Sequence, residues 1–182
     1  SAHWDQIIQI AAICTDENFK VLDKINLTGN LNSFAVPDPE ALLVNRIPIE
    51  KIYKSNLSNY GLISEVYNKF EEWSPAIFIG YNSILFDEEV LRNAFFKNLY
   101  DPYLTVKKSN IRLDLLDITR IANFFYPEKI KSSLNKKGSS ILKLESIAHT
   151  NGIKNFTAHD AMGDTFASLE LAKLIKNQIP EL

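Results

Sequence analysis

Residues 7–14, IIQIAAIC, form an almost unbroken apolar run that ends in the turn-like TDEN, and residues 18–30, NFKVLDKINLTGN, alternate apolar and polar side chains. Two strand-length stretches joined by so short a polar turn predict an antiparallel hairpin. Residues 35–60 carry three prolines and mixed patterning, which fits short helices joined by loops. Leu62, Ile63, Val66, Tyr67, Phe70 and Trp73 then recur at helical spacing until Pro75 stops the segment. AIFIGYN, residues 76–82, reads as a fully buried strand, and residues 86–99, FDEEVLRNAFFKNL, as a helix with acid in its first turn, where the helix dipole favours it.

Residues 110–127, NIRLDLLDITRIANFFYP, predict a short strand continuing into a helix that Pro127 ends. The next stretch, PEKIKSSLNKKGSS, is polar, basic and rich in Ser, and predicts an exposed, mobile loop. A helix over ILKLESIAHTNG stops near Asn151 and Gly152, and a long last helix runs from about Asp160 to Ile179. Strands with interleaved helices give an α/β layered domain, and 182 residues suit one domain over residues 1–182.

Charge adds little by itself. Twenty basic against 22 acidic residues give a net charge of −2, so a polyanion would have to be met by a local patch or a bound cation. The single cysteine, Cys14, excludes a disulfide framework and reads as a small buried hydrophobe in a reducing compartment. No stretch reaches the 18 apolar residues of a membrane span and the N-terminus lacks signal-peptide character, which points to a cytoplasmic protein with no membrane partner.

The candidate chemistry lies in AHDAMGDTF. Asp160 suits the N-cap of the last helix, whereas Asp164 stands one turn further on, on the same face, with His159 just before the helix. A carboxylate and an imidazole at one helix mouth suit metal binding with an adjacent general base. Asp87 adds a second carboxylate where a strand gives way to a helix, and ligands in open α/β sheets bind beyond the carboxyl ends of strands. Glu88 and Glu89 read as no more than an acidic first turn.

The strings GYNSILFDEEVLRNAFFKNLYDPY, RLDLLDITR and NGIKNFTAHDAMGDTFASLELAKL, with NxxxFD followed by HxxxxD, resemble the nuclease domain of the bacterial exonuclease I family, DnaQ-like exonucleases of the DEDDh type. The resemblance covers most of residues 7–176, in order. It implies a ribonuclease-H-like fold with a mixed central sheet flanked by helices. It further implies 3′-5′ hydrolysis of single-stranded DNA to nucleoside 5′-monophosphates, in DNA repair and recombination, with two Mg²⁺ ions that Mn²⁺ can replace. Asp87 and Asp164 match metal-ligand positions and His159 the general base. Lys143 matches a phosphate-binding position, with Arg92, Tyr103, Arg120 and Asn82 at positions resembling DNA contacts. Arg92 and Arg120 also fit solvated helix positions, Tyr103 a packed turn and Asn82 a strand-end cap.

The family's first strand carries Asp-x-Glu, and no such pair stands at a strand end here; Asp16 and Glu17 are adjacent and point apart. The expectation is about 15 to 20 further upstream residues in the native chain, a fragment left inactive by the lack of that motif, and the family's later SH3-like and helical domains absent from residues 1–182. Single-stranded DNA and the single-stranded-DNA-binding protein are the implied partners of a monomer. Rival readings are a related exonuclease acting on RNA, short oligonucleotides or in proofreading, and a catalytically inactive nucleic-acid-binding module.

Overall fold

The computed structural model describes residues 5–45, 47–154, 156 and 160–182. The expected hairpin is present: β1 (Gln9–Thr15) pairs antiparallel with β2 (Val21–Thr28). Its turn is built by Asp16, whose carboxylate accepts the N–H groups of Asn18 and Lys20 at 2.9 and 2.8 Å, while Phe19 takes a φ of 59°. An aspartate bonding its own backbone two residues on is the usual way such a turn is closed.

Two short helices follow, α1 (Pro39–Asn45) and α2 (Ile49–Tyr53). Next comes α3 (Asn59–Glu72), whose N-cap Ser58 accepts the Gly61 N–H at 3.0 Å. Its apolar stripe, Leu62, Ile63, Val66 and Phe70, is buried. Ile25 of β2 joins Ile63, Val66 and Phe70 in a first core, which Leu91, Phe95 and Leu104 complete. Cys14 is half-buried rather than buried, because its strand lies at the margin of this core.

The second ladder is parallel: β3 (Ile77–Gly80) runs beside β4 (Ile111–Asp114), with Gly80 opposite Asp114. The connection passes through α4 (Asp87–Lys97), and β4 leads into α5 (Leu115–Phe125). The fully buried reading of β3 is corrected: Ile77 and Ile79 are 56% and 46% exposed. Among the described strands β3 pairs only with β4, and Phe78 alone is turned onto the core, its ring 5.1 Å from that of Phe70.

The polar segment from Pro127 is also more ordered than its composition suggests. It holds a small antiparallel ladder, β5 (Ser133–Leu134) with β6 (Ser140–Ile141), and fully buried Ile130 anchors it. Helix α6 (Leu144–Thr150) and the long α7 (Ala161–Gln178) complete the chain. Leu115, Ala122, Ile130, Ile147, Leu171, Ile175 and Ile179 form a second core between α5, α6 and α7. No helix among the described residues is long and apolar enough to cross a membrane.

Asn110, just before β4, stitches three segments together: its Oδ1 accepts the Ala76 N–H at 2.8 Å, and its Nδ2 donates to Leu104 O at 2.7 Å and to Ser74 Oγ at 2.9 Å. Asn110→Ala removes one partner from three groups at a buried position, so a loss of about 2–4 kcal/mol in urea-unfolding stability is expected. An unchanged unfolding midpoint would contradict this role.

Candidate active site

Where β3 and β4 end side by side, the chain turns through residues 80–86 into α4. Gly80 is required there, since a Cβ on it would lie 2.5 Å from that of Ser83. Asn82 takes a φ of 59°, a conformation asparagine tolerates better than most side chains. The turn is held from across the ladder by Asp114. That carboxylate, 8% exposed, accepts the N–H groups of Asn82 at 2.8 Å and Ile84 at 3.2 Å, and caps α5 by accepting Leu116 N–H at 2.9 Å. The sequence reading missed Asp114; its position as N-cap after a strand was the available signal.

Asp87 opens α4 directly after this turn. The residue as a whole is exposed, yet its carboxyl is crowded by protein. Loss of water pushes its pKa up to about 6, with smaller upward contributions from the negative charges of Asp114 and Glu88. Glu88 is more than an acidic first turn, because it is only 8% exposed. Its Oε2 accepts the Thr105 hydroxyl at 2.7 Å and lies 3.5 Å from Arg112 Nη1, which ties the start of α4 to β4 and the Leu104–Val106 turn. Those partners, 17 and 24 residues away, explain why local patterning did not find this role.

On the other wall, α7 packs along β1. Asp160 caps α7, accepting Gly163 N–H at 3.2 Å and Gln9 Nε2–H at 3.4 Å, while the Thr165 hydroxyl donates to Ala11 O at 3.4 Å. Asp164 is half-buried one turn in, its N–H bonded to Asp160 O at 2.9 Å. His159 lies outside the described residues.

Of the expected substrate residues, Arg92 and Tyr103 are brought together, the guanidinium 5.4 Å from the ring centroid, with Lys107 on the same ring at 5.5 Å. Arg120 is exposed and paired with Asp117 at 2.6 Å. Lys143 stands just before α6, lining with Ser133 and His149 a pocket of about 370 Å³. The Tyr81 hydroxyl ties the Gly80–Phe86 turn to this region, donating to Leu142 O at 2.5 Å; burial pushes that phenol up to about 12.

Asp87 and Asp164 offer carboxylate oxygens, the donors that Mg²⁺ and Mn²⁺ prefer. The pair fits such an ion in kind. Among the described residues, however, no three His, Cys, Asp or Glu side chains group closely enough to hold one alone.

The Exonuclease family model matches residues 1–172, and the chain belongs to that family. Its ribonuclease-H-like fold agrees with the mixed ladders and flanking helices described above. Over 180 residues the chain is 34% identical to exodeoxyribonuclease I of Buchnera aphidicola from Schizaphis graminum, covering 98% of this chain and 37% of that protein. Escherichia coli exonuclease I in complex with a dT13 oligonucleotide superposes with a TM-score of 0.91 at 31% identity, over 100% of this chain and 39% of the other. An ExoI/SSB-Ct complex superposes at 0.89 and 30% identity, again over 100% of this chain and 39% of that one. The chain thus spans well under half the length of these relatives.

Because folding raises the Asp87 pKa above its ordinary 3.8, ionising it destabilises the folded state. The penalty is absent below about pH 4, grows toward pH 6 and is complete above it. Asp87→Asn is therefore expected to raise the thermal midpoint of the metal-free protein near pH 7.5 and leave it unchanged near pH 4; equal shifts at both would contradict the burial of this carboxyl.

Proposed function

We propose that this protein is a divalent-metal-dependent exodeoxyribonuclease that hydrolyses single-stranded DNA from the 3′ end to nucleoside 5′-monophosphates. The observation that carries the reading is the pair of carboxylates, Asp87 and Asp164, on the first turns of two helices, one beyond the ends of a parallel ladder and one against β1. It is supported by the likeness to exodeoxyribonuclease I and to exonuclease I bound to dT13.

In this reading Asp87 and Asp164 hold the divalent cation, two ions in the complete site, with Mg²⁺ the working metal and Mn²⁺ a substitute. Such a cation, once bound, neutralises charge on the scissile phosphate and makes water a stronger nucleophile. The His159 imidazole takes the proton from the attacking water as the bond from phosphorus to the 3′ oxygen breaks. Lys143 supplies a positive charge for a substrate phosphate, although as a point charge rather than a fork. Arg92 and Lys107 flank the Tyr103 ring, a pairing of backbone charge with a surface for base stacking. Asn82 presents its side chain at the turn before Asp87, and Arg120 offers a further charge on α5.

The domain belongs in this reading to a longer cytoplasmic, monomeric protein that works with the single-stranded-DNA-binding protein, in keeping with the SSB-Ct complex of the related ExoI. We also propose that an upstream strand seats between β1 and β3. Support comes from the two separate ladders and from exposed Ile77 and Ile79 on β3.

The test is degradation of 3′- and 5′-labelled single-stranded DNA by the full-length protein with Mg²⁺ or Mn²⁺, beside a matched RNA. Loss of the 3′ label first, with His159→Ala slowed by roughly 10²–10⁴-fold, is expected. Trimming from the 5′ end, a preference for RNA, or a His159→Ala variant of undiminished rate would each overturn the assignment.

A further inference from the structure

A second feature borders the α7 mouth without belonging to the carboxylate pair. It is an open groove of about 790 Å³, bounded by the β1–β2 hairpin on one side and the start of α7 on the other. Its lining is apolar at Ile13, Val21, Met162 and two rings, Phe156 and Phe166, and it carries two lysines, Lys24 and Lys154. Ile13 and Lys24 are cross-strand partners, so their side chains share a face of the hairpin.

That face is opposite the one buried against α3. Ile25, the next residue along β2, is in the first core, and Asp23 is bonded to Lys69 and Trp73 of α3 and its C-cap. Alternation along the strand therefore turns Lys24 toward the groove. Both lysines are exposed, and among the described residues no ion pair engages either. The groove's one carboxylate, Asp160, is occupied by the Gly163 N–H and the Gln9 amide.

We propose that this groove is a binding subsite for single-stranded nucleic acid, with Lys24 and Lys154 against successive phosphates and Phe156 and Phe166 beneath the bases. Unpaired cations beside accessible rings are the arrangement that tracks a flexible polyanion whatever its sequence, since every base offers a face to stack on. A purely acidic peptide would use the lysines but leave the two rings and the methionine without matching partners. The groove also reaches Asp160 and Gly163, on the helical turn that ends at Asp164, so a strand held there is adjacent to the carboxylate proposed to hold metal. The inference rests on the proposed nuclease function and extends it to where part of the strand lies beyond the reacting end.

Fluorescence anisotropy with labelled oligothymidine in EDTA tests it on the full-length protein, comparing the unaltered chain with Lys24→Ala/Lys154→Ala and with Phe166→Ala. The lysine pair is expected to make the dependence of log K on log salt shallower by about 1 to 2, and Phe166→Ala to weaken binding roughly five-fold or more. Unchanged affinity and salt slope in both variants, while the unaltered chain binds in EDTA and trims the 3′ end once Mg²⁺ is supplied, would overturn the groove and leave the nuclease reading standing. Absence of both binding and trimming by the unaltered chain would overturn the two together. Displacement of the oligonucleotide by polyglutamate at equal charge concentration would reassign the groove to an acidic peptide.

Discussion

The Asp114 carboxylate accepts three backbone N–H groups, from Asn82, Ile84 and Leu116, and the geometry of the candidate site depends on it. One side chain at the end of β4 thereby starts α5 and holds the turn that leads from β3 into α4. The left-handed conformation of Asn82 and the close approach that requires Gly80 occur within that turn. Asp87 is the first residue beyond it. Hydrogen bonds to a charged acceptor are stronger than neutral ones, and a buried carboxylate with three donors is well satisfied. Loss of water, with a smaller contribution from the Asp114 charge, raises the Asp87 pKa and makes its ionised form costly without a counter-charge. A bound cation would remove that cost, in keeping with the proposed role of Asp87 as a metal ligand.

The two walls of the site are fixed independently. Glu88, with Thr105 and Arg112, locks the start of α4 to the β3–β4 side, and Gln9 and Thr165 lock the start of α7 to β1. The two ladders share no described backbone pairing, and the apolar side chains of Ile77 and Ile79 face outward on the β3 side. Relative placement of Asp87 and Asp164 therefore depends on packing of α3 and α7 more than on a continuous sheet.

Elements whose information is local were legible in the sequence. The hairpin followed from alternation and TDEN, α3 from its apolar spacing, and α7 with its Asp160 cap from AHDAMGD. What escaped depends on distant partners. Asp114 looks like one acid among several until Asn82 and Ile84, some 30 residues earlier, are set against it. The Ser133–Ile141 ladder was hidden by its polar composition, while buried Ile130 just before it and Leu142 just after it tie it to the second core. AIFIG resembles a central strand by composition, but exposure is decided by what lies on each side, which the string does not record. Of the candidate site, Asp87 and Asp164 were singled out because each stands at a helix start and NxxxFD and HxxxxD tie residue type to spacing.

The claim on which the rest turns is that Asp87 and Asp164 serve one divalent-cation site although they belong to different walls. Calorimetric titration of Mn²⁺ into the full-length protein, and into Asp87→Asn, Asp164→Asn and the double variant, addresses it directly. Each single change is expected to weaken binding, and the double change to cost less than the sum of the two, as for ligands that share a centre. Mn²⁺ binding unaffected by either change, or lost strictly additively, would contradict the claim.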